Sequence, residues 1–493
     1  MTSSEHRRQI MALRTREDYL NSLKKLKPNI YKFGKIIEDV TSDPATRRVV
    51  ESHARALDAA RDPELAGIFT TTSLLSGNTI HRNNSIMTSA EDMMANSKFK
   101  RKMYQLTGTC TGALCAGWWG YHVMWSVTWD MDQALGTDYH ERLRKWGEHF
   151  EDKGLVVAGG LTDAKGNRKL KPHQQADPDL FLRVVERRKD GIVVNGAKVM
   201  IAGTAASEEI FILPGTAYTK ENADNAVAFV VPRDIDGLTI VEARHPSDGR
   251  DLEEGFDNPT QTGITQGYLY FENVFVPNER VFLNGEYEYT GDIVGRFTSS
   301  YRGCIGACVS GQGDVMIGAA ILIARANGLS AKTFREKLTQ MALINETTFT
   351  MGIGAIALGS VHPSGAWIGD ALRSHGTKIH VATLPYGVKQ LCQEIGGGFV
   401  ETGCLPSTQD INHPEYGDLI KKYLNTGVCD PVTRARIARL IEWLTIGGGT
   451  PGCMHGGGSP DGARRFVYAL SPMEEFVQYA KDLAGIEEDI SEP

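Results

Sequence analysis

The order in which hydrophobic periodicities follow one another is the feature that most constrains this fold. From Arg16 to about Glu151, apolar residues recur at helical spacing among charged neighbours. After Gly154 the chain changes to short β-branched runs bounded by Gly, Pro and Asp. Long helical patterns return from about Asp292. This α, β, α succession predicts an α+β protein, because a parallel α/β sheet would alternate strands and helices throughout.

The same patterns predict three domains. An N-terminal α-helical domain would span 1–150, a compact antiparallel β domain 151–285, and a C-terminal helical bundle 286–493. Asn195-Gly196 predicts a type I′ hairpin turn inside the β domain. The bundle helices are predicted at 315–326, 332–357, 378–394, 433–444 and 473–483. This order is that of the acyl-CoA dehydrogenase-like architecture, which is an analogy of fold and not of function.

Charge and composition restrict the class of protein. The 493 residues carry 53 Lys and Arg against 60 Asp and Glu, a formal charge of -7, which disfavours a nucleic-acid partner. No uninterrupted apolar run approaches the roughly 18 residues of a membrane span. The first 20 residues lack the continuous apolar stretch of a signal peptide. We therefore expect a soluble, cytoplasmic protein whose eight cysteines are reduced.

Two glycine-rich segments resemble dinucleotide fingerprints, namely Gly311-Gln312-Gly313 and Gly352-Ile353-Gly354. Neither follows a predicted strand, so no pyrophosphate would meet a helix N-terminus there. We interpret both segments as places where helices pack closely. No NAD(P)H fingerprint is visible, and no Gly-Lys pair has the spacing of a P-loop.

Half of the cysteines fall in two short glycine-containing segments. Cys110 and Cys115 lie in LTGTCTGALCAG, and Cys304 and Cys308 lie in YRGCIGACVSG. Four thiolates in two pairs are able to hold an iron–sulfur cluster or zinc, although neither spacing matches a standard motif. Small thiols also pack well where helices approach closely. Both interpretations stay open on spacing alone.

Two loops carry further candidate functional residues. The glycine-rich stretch 446–465 contains His455, which is either a donor to a bound ligand or a solvated side chain in a flexible turn. The loop 161–172 opens the β domain and carries Asp163, Lys165 and Arg168. Its cations would suit the phosphate of a cofactor or of coenzyme A, or they form a solvated charged turn.

Several of these segments together resemble one family. LNSLKKLKPNIYKFGKIIEDVTSDP, GLTDAKGNR, DPDLFLRVVE, DGIVVNGAKV, FENVFVPNERVF, GQGDVMIGAA and CMHGGGSP are similar to the 4-hydroxyphenylacetate 3-hydroxylase family. The similarity covers nearly the whole chain and is strongest to the 4-hydroxybutyryl-CoA dehydratase branch. It implies FAD in a groove between the β domain and the bundle, and a homotetramer.

The resemblance also assigns cofactor-binding positions. The family's flavin-binding stretch falls on the loop after Gly154 and on the residues that follow the predicted hairpin strand. The implied FAD-binding residues are Thr162, Asp163, Lys165, Arg168, Gly203 and Thr204. The protein would orient and shield the flavin ring, while the flavin carries the redox chemistry.

The dehydratase branch holds an iron–sulfur cluster with three Cys and one His. Two of its cysteines match Cys115 and Cys308, and its other two ligand positions fall on Thr111 and Tyr301. Cys110 lies next to Thr111, and Cys304 lies one helical turn before Cys308. These two cysteines would have to replace the two missing ligands. The candidate ligands are Cys110, Cys115, Cys304 and Cys308.

The acid–base positions of that branch also differ. Its two functional carboxylates fall on Gln266 and Gly452, and its tyrosine falls on Ile305, so abstraction of an unactivated β proton has no evident base here. The phenol-binding Arg, Tyr and His of the hydroxylase branch fall near Thr111, Cys115 and Gly159. The candidate catalytic residues are His455, Tyr301 and Gln266.

The sequence therefore predicts an FAD-dependent oxidoreductase, and more specifically a two-component monooxygenase that receives reduced FAD from a partner reductase. The alternative is a dehydratase or isomerase that acts on a CoA thioester with FAD and an iron–sulfur cluster. A third interpretation is an inactive flavin-binding subunit, since the acids and bases of the family are missing. The small residues at the phenol-binding positions predict a larger or less polar substrate pocket.

Overall fold

A computed structural model describes residues 13–244, 248–401, 403–446, 456–488 and 490. The chain is α+β, as predicted, and its helices lie mainly before and after a β-rich middle. The helices are α1 Arg16–Leu23, α2 Arg47–Arg61, α3 Ala66–Phe69, α4 Ala90–Thr107, α5 Ala116–Leu135, α6 Tyr139–Lys153, α7 Asp248–Asp251, α8 Thr290–Ala326, α9 Arg335–Ala357, α10 Ala371–Val381, α11 Leu384–Gly396, α12 Gly398–Glu401, α13 Thr408–Ile411, α14 Gly417–Leu424, α15 Pro431–Thr445, α16 Pro460–Leu470 and α17 Met473–Ala484.

The strands are short apart from two of twelve residues each. They are β1 Ile30–Lys32, β2 Lys35–Ile36, β3 Thr70–Thr72, β4 Thr79–His81, β5 Val157–Gly160, β6 Arg183–Arg187, β7 Gly191–Ala202, β8 Glu209–Ile212, β9 Val227–Pro232, β10 Leu238–Glu242, β11 Gln266–Pro277, β12 Val281–Asn284, β13 Ser360–Val361 and β14 Trp367–Ile368.

Two mixed sheets form the middle layer. A six-stranded sheet has the order β2-β1-β10-β11-β7-β6, and a four-stranded sheet has the order β12-β9-β8-β5. The expectation of a purely antiparallel domain is wrong, because β1 pairs with β10 and β5 pairs with β8 in parallel. Both parallel pairs join strands that are far apart in sequence, which local patterning does not reveal. The strand β1 also brings the N-terminal segment into the larger sheet.

Asn195 and Gly196 do not form the predicted hairpin turn. They lie inside the continuous strand β7, opposite a register shift in β11. The Asn195 side-chain oxygen accepts a hydrogen bond from the backbone N–H of Asn273 at 2.6 Å. Gly196 adopts φ +119°, and a Cβ there would meet the Leu182 backbone. The pair therefore accommodates an irregularity within one strand instead of reversing the chain.

The helix α8 is the centre of the C-terminal bundle. It packs against α4, α5, α9, α10, α11 and α15. With the preceding turn it is the one helix of the described ranges long and apolar enough to cross a membrane, but 67% of its apolar window is buried inside the protein. It is a core helix, and it begins well before the predicted start at residue 315.

The predicted helix at 378–394 is two helices. The first, α10, ends at Val381, and α11 begins at Leu384 with Pro385 in its first turn. Proline has no backbone N–H and its ring excludes the preceding helical turn, so the break follows directly from the sequence. Apolar residues keep helical spacing across the break, so the sequence pattern predicted one continuous helix.

Glycines allow α8 to approach its neighbours closely, as predicted for this segment. A Cβ on Gly306 would overlap the Thr348 carbonyl oxygen of α9, and one on Gly311 would overlap the Arg101 carbonyl oxygen of α4. Within the fingerprint-like segments, Gly311 and Gly352 therefore serve close helix packing, whereas Gly354 has open space where its Cβ would be. Gly318 of α8 also has open space where its Cβ would be.

We predict opposite effects for alanine at two glycines of α8. Gly306→Ala should lower the free energy of unfolding by about 1–3 kcal/mol, because the new methyl group collides with backbone. Gly318→Ala is the matched control and should raise it by about 0.5–1 kcal/mol through helix propensity. Urea denaturation followed by circular dichroism measures both. Equal effects of the two substitutions would contradict the close contact at Gly306.

Candidate active site

The start of α5 lies directly against the two sheets. A single 3-10 turn, Gly112–Leu114, precedes it and packs on the end of β7. A Cβ on Gly203, which has φ +79°, would lie 2.7 Å from the Ala113 nitrogen, and one on Gly159 would overlap Ala116. The absence of side chains at these positions therefore brings Cys115, at the junction of turn and helix, next to the β layer.

A buried lysine on α4 faces this junction. Lys100 is 4% exposed, and its Nζ donates to the Cys115 Sγ at 2.5 Å. The ammonium also lies 5.5 Å from the Tyr301 ring centroid and 5.8 Å from that of Trp119. Burial lowers the pKa of Lys100, but its thiol neighbours outweigh that effect and raise the pKa above its ordinary value.

Three of the four predicted thiols lie near this lysine. Cys115, Cys308 and Cys304 all act on the Lys100 charge, and Cys110 packs against a small cluster that contains Cys308. Burial raises the pKa of Cys304 to about 11, against the opposing effect of Lys100. In the described ranges no group of three or more His, Cys, Asp or Glu side chains is arranged to hold a metal ion. The Lys100 ammonium thus lies among thiols that the family resemblance assigned to an iron–sulfur cluster.

Tyr301 lies at the same place. Its ring stacks on Phe297 at 5.2 Å and meets Trp119 edge-on at 6.4 Å. A Cβ on Gly457 would lie 2.7 Å from the Tyr301 ring. The described end of the glycine-rich loop thus covers Tyr301. His455 and Gly452 lie outside the described residues.

Arg302, next to Tyr301, binds the same loop. Its Nε donates to the Gly457 carbonyl at 2.8 Å, and its Nη1 donates to His375 Nδ1 at 2.5 Å. Burial lowers the pKa of Arg302 to about 10, and burial together with Arg302 lowers the pKa of His375 to about 4. The His375 ring stacks on Phe466 of α16 at 4.6 Å. A neutral histidine therefore connects α8 to the helix that follows the loop.

The loop predicted to bind FAD begins where β5 ends. The Thr162 carbonyl accepts a hydrogen bond from the Val199 N–H at 2.8 Å. Asp163 is buried, and its carboxylate pairs with Lys198 Nζ at 2.5 Å and accepts from the Tyr218 hydroxyl at 2.9 Å. The side chain of Asp163 thus holds the loop against β7 from inside.

The two cations of that loop point the other way. Lys165 and Arg168 are exposed and form no ion pair in the part of the chain that the structure describes. Burial, followed by the nearby Arg168 charge, lowers the pKa of Lys165. Two adjacent cations that repel each other and lack a carboxylate partner are suited to a diphosphate.

Three further predicted residues lie at the other edge of the Gly112–Leu114 turn, namely Gly203, Thr204 and Gln266. The Thr204 hydroxyl is fully buried and donates to Glu242 at 2.5 Å, and burial raises the pKa of that carboxyl. Gln266 opens β11 opposite Ala202 and is half-buried. The structure therefore brings these three residues to the α5 junction, while the Thr204 hydroxyl is already engaged within the protein.

A second neutral histidine supports the junction from behind. His53 is fully buried, its Nδ1 lies 2.7 Å from the Val49 carbonyl, and its Nε2 accepts from the Ala113 N–H at 3.2 Å. Burial lowers the pKa of His53 to about 4. The Ala113 contact requires a lone pair on Nε2, so the ring proton resides on Nδ1.

Sequence reasoning missed Lys100, Arg302 and His375. Lys100 lies in the run KFKRK, a pattern that is typical of a solvated, charged helix face. One signal was present: Lys100 shares a helix face with the buried Asn96, Met103 and Tyr104. Only the packing of α4 against α5 and α8 shows that one cation of the run points inward.

Family models match both halves of the chain. The model described as the N-terminal part of 4-hydroxyphenylacetate 3-hydroxylase matches residues 15–283, and the C-terminal part matches residues 290–485. Together the two models cover most of the chain. This chain belongs to the 4-hydroxyphenylacetate 3-hydroxylase family, as the sequence motifs predicted.

Individual relatives fall in two branches and are enzymes. A 4-hydroxybutyryl-CoA dehydratase/vinylacetyl-CoA-Δ-isomerase of Clostridium aminobutyricum is 36% identical over 96% of this chain and 100% of its own length. A solved 4-hydroxybutyryl-CoA dehydratase of N. maritimus has a TM-score of 0.93 at 35% identity, covering 98% of this chain and 97% of that one. The oxygenase component HpaB, solved with FAD and 4-hydroxyphenylacetate, has a TM-score of 0.82 at 22% identity over 95% and 98% of the two chains, which shows a shared fold.

We predict that His53 makes stability pH-dependent. Since its pKa falls from 6.5 in the unfolded chain to about 4 in the folded chain, the unfolded state binds the extra proton between these values, and stability is lost as the pH falls through that window. His53→Gln should reduce this slope by up to about 1.4 kcal/mol per pH unit. Urea unfolding at a series of pH values measures it.

The exposed His149 provides the control, and His149→Gln should leave the slope unchanged. If the slope of unfolding free energy against pH is the same in His53→Gln as in the wild type, the prediction for His53 is wrong.

Proposed function

We propose that this protein is the FAD-dependent oxygenase component of a two-component monooxygenase, supplied with reduced FAD by a separate reductase. The observation that carries the proposal is the pairing of Lys100 with Cys115 where the other branch needs a metal cluster. Reduced FAD, when bound, supplies the electrons that activate dioxygen. The residues of the chain bind the cofactor, exclude water and hold the substrate.

Several features support FAD as the cofactor. The exposed cations Lys165 and Arg168, which form no ion pair with the described residues, lie in the loop after β5, and Asp163 fixes that loop from inside. Related HpaB structures of the same fold hold FAD. We assign the diphosphate to Lys165 and Arg168, and we keep Gly203 and Thr204, which the family resemblance implies, as candidate contacts of the flavin.

The position of the candidate catalytic groups supports oxygenation over dehydration. Gln266, an amide, stands at a carboxylate position of the dehydratase branch, so proton abstraction has no base there. Tyr301 and Trp119 present aromatic faces beside the Lys100 ammonium. His455 is the further candidate catalytic residue.

The assembly and location that we propose are a homotetramer in the cytoplasm. The two last helices support association, because α17 has no buried residue and both helices expose large apolar side chains. Those side chains include Phe466, Tyr468, Phe476, Val477 and Leu483. Light scattering of the purified protein measures the mass, and a monomer at micromolar concentration would overturn this assignment.

We predict that the loop cations set the affinity for FAD. The double variant Lys165→Ala/Arg168→Ala should weaken binding by about tenfold for each charge removed, because each charge-assisted contact contributes about 1.5 kcal/mol. Fluorescence titration of the apoprotein measures the dissociation constant. Lys169→Ala, a neighbouring exposed cation in the same loop, is the control and should bind FAD as the wild type does.

The activity test uses reduced FAD, ¹⁸O₂ and a panel of phenols that includes 4-hydroxyphenylacetate. We expect one labelled oxygen atom in the product of at least one phenol, detected by mass spectrometry, and none without protein. Failure of the protein to bind FAD, or binding without any labelled product across the panel, would refute the proposal.

The second candidate is a dehydratase or isomerase on a CoA thioester with an iron–sulfur cluster. The 36% identity to the Clostridium aminobutyricum enzyme over nearly the whole chain favours it. Iron and acid-labile sulfide analysis after anaerobic purification separates the two functions. About four irons per subunit that are lost in Cys308→Ser, together with turnover of 4-hydroxybutyryl-CoA, would establish the second candidate and refute the first.

A further inference from the structure

The contact between Lys100 and Cys115 has chemistry of its own that the proposed function does not use. A primary amine nitrogen lies 2.5 Å from a cysteine sulfur, and the lysine is 4% exposed. The cysteine is half-buried and therefore retains access to solvent. All described cysteines are free thiols, so the sulfur of Cys115 is available for oxidation.

Two features of the surroundings bear on this sulfur. An ammonium in hydrogen-bond contact and the N-terminus of the twenty-residue helix α5 both lie beside it. Cysteines next to a lysine or at a helix N-terminus are the ones that oxidants attack first. A sulfenic acid formed in this way condenses with a thiol to a disulfide or with a backbone nitrogen to a sulfenamide, and an amine nitrogen in contact with the sulfur is able to react in the same way.

We propose that Lys100 and Cys115 form a reversible, peroxide-sensitive nitrogen–sulfur cross-link. In the first step hydrogen peroxide oxidises the thiol by two electrons, its O–O bond breaks, and the products are Cys115 sulfenic acid and water. In the second step the Lys100 ammonium releases one proton to solvent, and the neutral Nζ attacks the sulfur, so that the N–S bond forms and the S–O bond breaks. The departing hydroxide takes a second proton from Nζ and leaves as water.

The position of the pair directs the sulfenic acid to the lysine. Nζ already touches the sulfur, and the Tyr301 and Trp119 rings lie against the ammonium. Since α4 and α5 both belong to the packed core, little motion is needed to close the bond. The cross-link ties α4 to the first residue of α5 and removes the buried positive charge. A dithiol restores both side chains and is itself oxidised to a disulfide.

The test is peptide mapping of the full-length protein after treatment with hydrogen peroxide and alkylation of the remaining thiols. We expect a joined pair of peptides that contain Lys100 and Cys115, with two hydrogens fewer than their sum, and no tryptic cleavage after Lys100. Dithiothreitol should restore the separate peptides. This experiment needs no flavin, so its outcome is independent of the proposed function.

Two variants sharpen the result. Lys100→Gln removes the nucleophile, so peroxide should carry Cys115 to a sulfinic acid that dithiothreitol does not reverse. Lys98→Gln changes an exposed lysine on the same helix and should leave the cross-link intact. The wild-type map decides the question even if Lys100→Gln does not fold. A disulfide from Cys115 to another cysteine, dithiothreitol-resistant oxidation of Cys115 in the wild type, or oxidation confined to the exposed Cys404 would each overturn the proposal.

Discussion

Close contact between the start of α5 and the two sheets is the constraint on which the site depends. Backbone meets backbone there because Gly159 and Gly203 carry no side chain, and any larger residue would push helix and sheet apart. The contact fixes Cys115 beside β5, whose end leads into the loop that carries Lys165 and Arg168. It also fixes the helix face that Lys100 must meet. Steric fit between α5 and the two sheets therefore decides which side chains meet at the site.

The charge of Lys100 is the second constraint. A buried ammonium is costly unless a partner compensates it, and here thiols and aromatic faces take that role. Lys100 thus links the electrostatics of the site to its thiols, which form no metal-ligating group within the described ranges. The family relationship alone does not distinguish a monooxygenase from a dehydratase, because relatives of both branches share the fold.

Much of the fold follows from local sequence, and the failures have physical causes. The α, β, α order and most bundle helices follow from periodicity, and the glycines of α8 pack helices as expected. Asn195-Gly196 failed as a turn because a neighbouring strand, β11, supplies the partners of its side chain. The parallel pairing of β1 with β10 joins segments about two hundred residues apart, which no local pattern encodes. The helix at 378–394 failed because the helical period outweighed the signal of Pro385.

The sequence by itself determined the family, the order of helices and sheets, and the segments from which the site is built. Short-range periodicity and motif chemistry are properties of neighbouring residues, so the printed chain contains them. Only the tertiary structure decided what those segments do together. It turned one lysine of a charged run inward, placed it against Cys115, directed Asp163 to Lys198, and left Lys165 and Arg168 outside. Orientation of a side chain depends on which distant surface packs against it, and that information arises only when the helices and sheets meet.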